Sequence, residues 1–413
     1  MRSAMLRIFL TALIVLGALF LVSLLVAFGY GLLRPERVRR RDRTAGTGHP
    51  RYGPVRHDQV AILIACRNGA GTIAAAVTAA RRTGAPVFVV SDASTDDTAR
   101  RAADAGAEVL DLTTNVGKPA ALHAGYRHFR LGTRFRAVAI LDDDVIIAEN
   151  FVTETLATMT DQVAIAVGHN VTWWPREHRW NPWLAKRAYS YWNYQLFLRR
   201  IQSHFNVMNC ISGSNSLYRV ELLDRVLPQQ PPYIVDDTYW VLETHRRGLG
   251  RVVYAPRATA LLQDPTTLRD WYKQNLRWLW GTFQGILGHR VGRRVSTFDY
   301  AYVLLILHWA LYVLGAPVTL WVLASAGPGL GTGLLLLAAG QGIWVALAAW
   351  RLRHPQLLLM LPLIMVADLI YRVIFVHAAV KAVRQPTVDR CVWSSPERIG
   401  SPATSVPATA GTV

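Results

Sequence analysis

Cysteine is almost missing from this chain: Cys66, Cys210 and Cys391 are the three among 413 residues. Their positions lack metal-ligand spacing, which argues against a zinc site and a disulfide framework and suits a reducing compartment. Acidic residues are scarce too, with 27 Asp and Glu against 45 Lys and Arg, a net charge of +18. When carboxylates are this few, the places where they cluster carry information. The basic excess does not call for a nucleic-acid partner. The arginines gather beside long apolar runs, where anionic lipid headgroups account for them.

Apolar residues make up 52% of the chain, and the excess lies towards its two ends. Residues 8–33 carry no charge and exceed the roughly 20 residues that a bilayer span requires. The run is too long for the core of a signal peptide, and no small-residue cleavage site follows it. Arg34, Arg37, Arg39, Arg40, Arg41 and Arg43 come after it, against Arg2 and Arg7 before it, so the positive-inside bias places the middle of the chain in the cytoplasm. Further apolar stretches lie near 300–324, 331–350 and 355–379. Counting each as a span would leave the C-terminus outside. Lys381, Arg384 and Arg390 oppose that, so one stretch is a candidate re-entrant segment. The expected organisation is an N-terminal anchor over 1–34, a basic linker over 35–57, a soluble-type domain over 58–285, a membrane region over 286–380 and a tail over 381–413. The end of that tail is expected to be disordered, being rich in Pro, Ser, Thr and Ala.

From residue 59 short apolar runs alternate with helical stretches. Val60–Ala65, Pro86–Ser91, Ala107–Leu112 and Arg136–Leu141 read as strands, with helices to about Thr83, near 97–105 and over Pro119–Leu131. This alternation predicts βαβ units and a mostly parallel, Rossmann-like sheet covered on both faces. Ligands of such sheets bind beyond the carboxyl ends of the strands. The polar signposts fall at those ends: Arg67-Asn68, Asp92 to Asp96, Asn115 to Lys118, and Asp142-Asp143-Asp144.

The triplet closes an apolar strand, and alternate residues of an extended segment point the same way. Asp142 and Asp144 can therefore face one site, where a hard cation such as Mg²⁺ or Mn²⁺ would relieve their repulsion and bridge to a diphosphate. An acidic strand-end turn is the plainer alternative. Asp92 can accept a hydrogen bond from a nucleobase, whereas Ser94, Thr95 and Asp96 also fit a helix N-cap. Gly117-Lys118 resembles a phosphate loop, but Pro119 stands where a P-loop has Ser or Thr, which disfavours ATPase chemistry. Asp236-Asp237 precedes a helical stretch from Thr238 to Arg247. It reads either as an ordinary cap or as the source of a general base, Asp237, near a metal without binding it. Gln274, Arg277 and Trp278 share one helical face by their spacing. There an arginine can hold a leaving diphosphate and a tryptophan can stack on a sugar, although Trp278 and Trp280 also suit a membrane interface. Aromatic residues between Trp173 and Phe197 fit an interfacial helix or sugar stacking. Ser212 to Ser216, Ser214 among them, offers small polar groups for an acceptor channel or a plain turn. Asp368 and Arg372 are i, i+4 partners in an apolar stretch, either lining a polar conduit or neutralising each other.

Taken together, these residues resemble the membrane-embedded branch of the family 2 inverting glycosyltransferases, which includes hyaluronan, chitin, cellulose and poly-N-acetylglucosamine synthases. The resemblance covers roughly 58–285 and rests on the Asp-containing loop, the DxD pair, a TED-like triplet and QxxRW. It implies a GT-A domain, a UDP-sugar donor, Mg²⁺ or Mn²⁺, and inversion at the anomeric carbon. By that resemblance Asp92, Lys118, Asp142 and Arg277 hold the donor, joined by Asn68 from its place at a strand end, and Asp142 and Asp144 hold the metal. Asp237 is the base, and Gln274, Trp278, Ser214 and Asp236 face the acceptor. The triplet is Val-Asp-Asp where Thr-Glu-Asp is usual, the first loop reads Arg67-Asn68-Gly69, and Ala93 stands where Gly is usual. The expected activity is processive transfer to a growing β-linked polysaccharide at the plasma membrane, with possible export through its own helices or an accessory subunit. The alternative is a single transfer to a lipid acceptor, as in ceramide glucosyltransferase relatives. A catalytically inert transport or scaffold protein is the alternative of another class.

Overall fold

The computed structural model describes residues 51–389 apart from 229 and 326–328. The expected N-terminal span, the arginine cluster after it and the tail from residue 390 lie outside the described residues.

The first half follows the predicted alternation. Strand β1 (Val60–Cys66) leads to α1 (Ile73–Arg82), β2 (Val87–Asp92) to α2 (Thr98–Asp104), and β3 (Glu108–Leu112) to α3 (Lys118–His128). Helix α3 stops where Arg130 takes a left-handed conformation, and a short α4 (Leu131–Arg134) follows before β4 (Ala137–Leu141). Strand β1 pairs in parallel with β2 and β4, and β2 with β3. Alternate residues of β1 feed two separate cores. Ala61, Leu63 and Ala65 pack with Phe88, Leu122 and Ile140, while Val60, Ile62 and Ile64 pack with Ile73, Val89 and Leu141. Burial on both faces is why these strands read as continuous apolar runs.

The second half departs from the expected parallel pattern. After β5 (Ile146–Ile147) and α5 (Phe151–Leu156) comes β6 (Val163–Thr172), then α6 (Pro182–Asn193), a π-helical stretch to Arg199, and α7 (Arg200–Phe205). Strand β7 (Asn215–Arg219), α8 (Val220–Val226), α9 (Asp236–Arg246) and β8 (Arg251–Leu262) complete the domain. The eight strands run in the order β3-β2-β1-β4-β7-β6-β8-β5. Pairs β4–β7, β6–β7 and β5–β8 are antiparallel, so the sheet is mixed. Part of the Ser212–Ser216 segment is thus strand rather than turn.

Helix α10 (Leu268–Gly288) leads into three apolar helices, α11 (Thr297–Ser325), α12 (Gly329–Leu352) and, after the short α13 (Gln356–Leu359), α14 (Leu361–Arg384). Thr297–Gly315 and Leu361–Arg384 are long and apolar enough to cross a membrane. Helix α14 lies alongside α10. Trp271 faces Tyr371 with ring centres 6.2 Å apart, Tyr272 meets His377 at 2.7 Å, and the Gln284 amide donates to the Gln385 carbonyl at 2.8 Å. The aromatic segment forms α6, whose Ala185 and Tyr189 pack with Val345 and Ala349 of α12 and Ile364 of α14.

Candidate active site

The loops after β1, β2 and β3 are stitched together mainly by carboxylates that accept from backbone amides. Asp92 is buried and accepts from the amides of Val116 at 2.8 Å and Gly117 at 2.9 Å, and from the Asn115 side chain at 3.0 Å. Both its oxygens are thus engaged by the Asn115–Gly117 loop. Asp96 accepts from the Ala70 amide and from Thr98, and Thr98 in turn accepts from the Gly69 amide at 2.8 Å. Asn68 is exposed, with its side-chain oxygen receiving the Thr95 amide at 2.9 Å. This network gives Asp96 a role of fixing one loop to another. Asn68 and Asp92 end up at the same sheet edge.

The acidic triplet lies in the turn between β4 and β5, not in an extended strand. Its side chains nevertheless alternate. Asp143 is buried and accepts from the Cys66 thiol at 2.9 Å, whereas Asp142 and Asp144 are partly exposed. Cys66 and the inward role of Asp143 were not foreseen; the signal was present only as a small residue closing β1 beneath the triplet.

Lys118, at the start of α3, draws the distant parts together. Its ammonium pairs with Asp142 and lies 3.4 Å from the Gly213 carbonyl. The Gly213 amide donates to Asp237 Oδ2 at 2.9 Å, and the Ser214 carbonyl accepts from the Asp142 amide at 3.4 Å. A Cβ built on Gly213 would lie 2.8 Å from Asp237 Oδ2 and 3.0 Å from its Cβ, so only glycine lets this backbone approach the carboxylate. Ser214 is buried, with its hydroxyl 3.0 Å from that of Ser212. Asp236 is buried in the first turn of α9 and accepts the adjacent Asp237 amide at 3.0 Å, which leaves Asp237 as the partly exposed member.

Electrostatics follow from this crowding. Burial works against the Lys118 ammonium, but Asp142, Asp236 and Asp237 outweigh it and hold its pKa above the usual lysine value. Burial and then the Asp236 charge raise Asp237 to about 7, with Lys118, the Gly213 amide and Arg277 pulling the other way. Arg277 therefore acts on the same carboxylate as Lys118 although it comes from α10. Lys118 meets Asp142 and the Gly213 carbonyl, the Gly213 amide meets Asp237, and Arg277 lies near enough for its charge to act on Asp237. Among the described residues no three His, Cys, Asp or Glu side chains converge as a metal-ligating group. The partly exposed oxygens of Asp142 and Asp144 still fit a hard divalent ion that keeps water and phosphate ligands.

Further along the same motif of α10, Gln274 accepts from the Arg187 guanidinium, which also lies 4.5 Å from the Trp278 ring centre. Arg187 was not singled out from sequence; it sits unmarked in an aromatic helix. Of the two readings of Asp368 and Arg372, mutual neutralisation is not what forms. Asp368 pairs with Lys186 and accepts from Gln341, while the Arg372 guanidinium lies 4.6 Å from the Tyr312 ring centre. The packing of α6 on α14 brings Lys186 within reach of Asp368.

A family model described as "Glycosyltransferase like family 2" matches residues 57–281, more than half of the chain. The chain belongs to that family. Its mixed sheet with the acidic loops at one edge is GT-A-like. It is 28% identical over 216 residues to an N-acetylglucosaminyltransferase of Mesorhizobium japonicum, covering 49% of each chain. It is 27% identical over 163 residues to hyaluronan synthase 3 of Xenopus laevis, covering 37% of this chain and 29% of that one. The chain thus matches half or less of the length of these curated relatives. Among solved structures it is similar to glucosyl-3-phosphoglycerate synthase from Mycobacterium tuberculosis in complex with Mn²⁺, UDP and phosphoglyceric acid. That likeness is 16% identical, covers 56% of this chain and 78% of that one, and has a TM-score of 0.37.

Proposed function

We propose that this family 2 glycosyltransferase is an inverting, processive enzyme that moves a sugar from a UDP-sugar to a growing β-linked polysaccharide at the membrane. The observation that carries the reading is Asp237: a carboxylate raised to about 7, held by the Gly213 amide and acted on by the charges of Lys118 and Arg277. A base poised near neutral pH can take the proton of an acceptor hydroxyl as the sugar is transferred. Lys118 and Arg277 supply fixed positive charge where the diphosphate leaves. Asp142 and Asp144 would hold Mg²⁺ or Mn²⁺, and such an ion, when bound, supplies charge that stabilises the departing diphosphate. Asn68 and Asp92 would border the nucleotide. Ser214, Gln274 and Trp278 would border the acceptor.

The names of the curated relatives agree with synthesis of an amino-sugar polymer. Two helices of membrane length next to α10 support a bilayer location, and a charged sugar-nucleotide donor would be met by the sheet domain on the cytoplasmic side. Membranes bearing the chain should incorporate label from one UDP-sugar in a divalent-dependent manner. Asp237→Asn should lower transfer by ~10²–10⁴-fold and keep UDP affinity within a few-fold. Near-normal turnover in that variant would remove the base assignment. A single-sugar lipid product on a gel would replace processive synthesis with lipid glycosylation.

A further inference from the structure

Helix α6 carries Lys186 and Arg187 side by side, and the two cations serve different neighbours. Lys186 goes to Asp368 of α14. Arg187 turns to α10 and to the segment just before it, and is buried there. Its Nη2 donates to Gln274 Oε1, its Nη1 lies 3.5 Å from Asn275 Oδ1, and its Nε lies 3.2 Å from Asp264 Oδ1. The guanidinium carbon is 4.5 Å from the Trp278 ring centre and 5.5 Å from that of Tyr191. Tyr191, one turn further along α6, donates to the same Asp264 oxygen at 3.3 Å.

We propose that Arg187 is the positioning residue of the acceptor side, setting the Trp278 indole and the Gln274 amide in the orientation in which they receive the sugar chain. The proposal rests on the transferase reading and deepens it. A guanidinium offers only donors, so the Gln274 oxygen must face it and the amide nitrogen is left to point elsewhere. The guanidinium also sits over the indole, whose ring packs against the Trp271 and Trp280 cluster, and this restrains the ring against rotation. Asp264 completes the device. Burial raises its carboxyl to about 6, and Arg187 is the strongest influence keeping it ionised. The contact reaches from an aromatic helix packed against the apolar helices to the motif-bearing face of α10. The membrane-side scaffold thereby fixes the acceptor platform.

The test separates donor from acceptor. In membranes supplied with the labelled UDP-sugar that the unaltered chain uses, transfer and donor hydrolysis to water are measured for Arg187→Lys and Arg187→Ala. Arg187→Lys keeps the charge opposite Asp264 but loses the planar stack and the fork. It should raise the acceptor KM by about tenfold and leave donor KM and donor hydrolysis within about threefold, with an unchanged melting temperature. An unchanged acceptor KM in both variants, or in Trp278→Ala, overturns the proposal, as does an equal loss in hydrolysis and transfer. Complete failure to turn over any UDP-sugar counts against the transferase reading alone. Acrylamide quenching, taken as the difference from a Trp278→Phe chain, then judges Arg187 without turnover. Quenching of Trp278 should rise in Arg187→Lys, and no rise overturns the placement.

Discussion

The sheet-edge cleft and the helical platform handle charge in opposite ways. In the cleft most carboxylates are held by neutral donors: Asp92 by the Val116 and Gly117 amides, Asp96 by Ala70, Asp237 by Gly213. On the platform buried cations are matched to buried or half-buried anions, Lys186 with Asp368 and Arg187 with Asp264. An amide fixes a carboxylate without cancelling its charge, which stays available to a proton or a cation. An ion pair consumes the charge and yields a joint between elements. Lys118–Asp142 is the cleft's exception, and there three carboxylates face one ammonium, so negative charge is still in excess. The cleft is built to receive a partner, and the platform is built to hold its shape.

Gly213→Ala breaks the cleft side of this comparison. The new methyl would lie 2.8 Å from Asp237 Oδ2, too close for any real contact, so the carboxylate or the loop must shift. Misplacing a base by this much should cost ~10²-fold in transfer, with thermal stability little changed. Wild-type transfer rates would show that Asp237 needs no fixed geometry. Lys186→Met breaks the platform side. It strands Asp368 among apolar helices and should lower unfolding stability by ~3–5 kcal/mol in detergent-solubilised protein. Adding Asp368→Leu should return most of that loss, because the double variant leaves no orphaned charge.

The two regions were also unequally legible from sequence. Strands β1, β2 and β4 could be placed because each is buried on both faces, and the edge strand β3, with Glu108 and Asp111 exposed, because helices flank it on either side. Strand β8 could not, since Arg251, Pro256 and Arg257 interrupt its apolar residues; the pairing with β6 shifts register between Val167 and His169, opposite the segment with Pro256. A bulge admits a proline that a regular ladder would reject. The carboxylates at the strand ends were readable, but the side that each one faces was not. Asp143 turns inward because Cys66 waits there, 77 positions earlier. Lys186 and Asp368, 182 positions apart, became partners only through the packing of α6 on α14. In the sequence the nearest visible partner for Asp368 is Arg372, one helical turn on.

A pH measurement sharpens the contrast further. Asp237 is raised to about 7, so transfer should rise with pH along an acid limb near that value. The stability effect has the opposite sign. Between the ordinary carboxylate range and about 7 the folded chain keeps a proton that the unfolded chain has lost, so stability falls as pH rises through that window. Asp237→Asn should accordingly melt a few degrees higher than the unaltered chain at pH 8, with the gain disappearing near pH 4. An equal gain at both pH values would point to packing instead of charge.

The smallest expected effect lies in the loop after β2. Ala93 has φ of 53°, the left-handed region in which a Cβ crowds the following carbonyl. Ala93→Gly removes that crowding, worth about 1–2 kcal/mol, but adds freedom to the unfolded chain worth somewhat less. The net gain should be under ~1 kcal/mol, visible as a slightly higher melting temperature. Donor KM is the more telling readout. The neighbouring Ser94 and Thr95 bond Asn68, and Asp92 bonds the Asn115–Gly117 loop. If the strained alanine serves to stiffen this junction, glycine should raise donor KM a few-fold even as the fold gains stability. If KM stays unchanged, the amide contacts to Asp92 and Asp96 are enough to hold the cleft open without it.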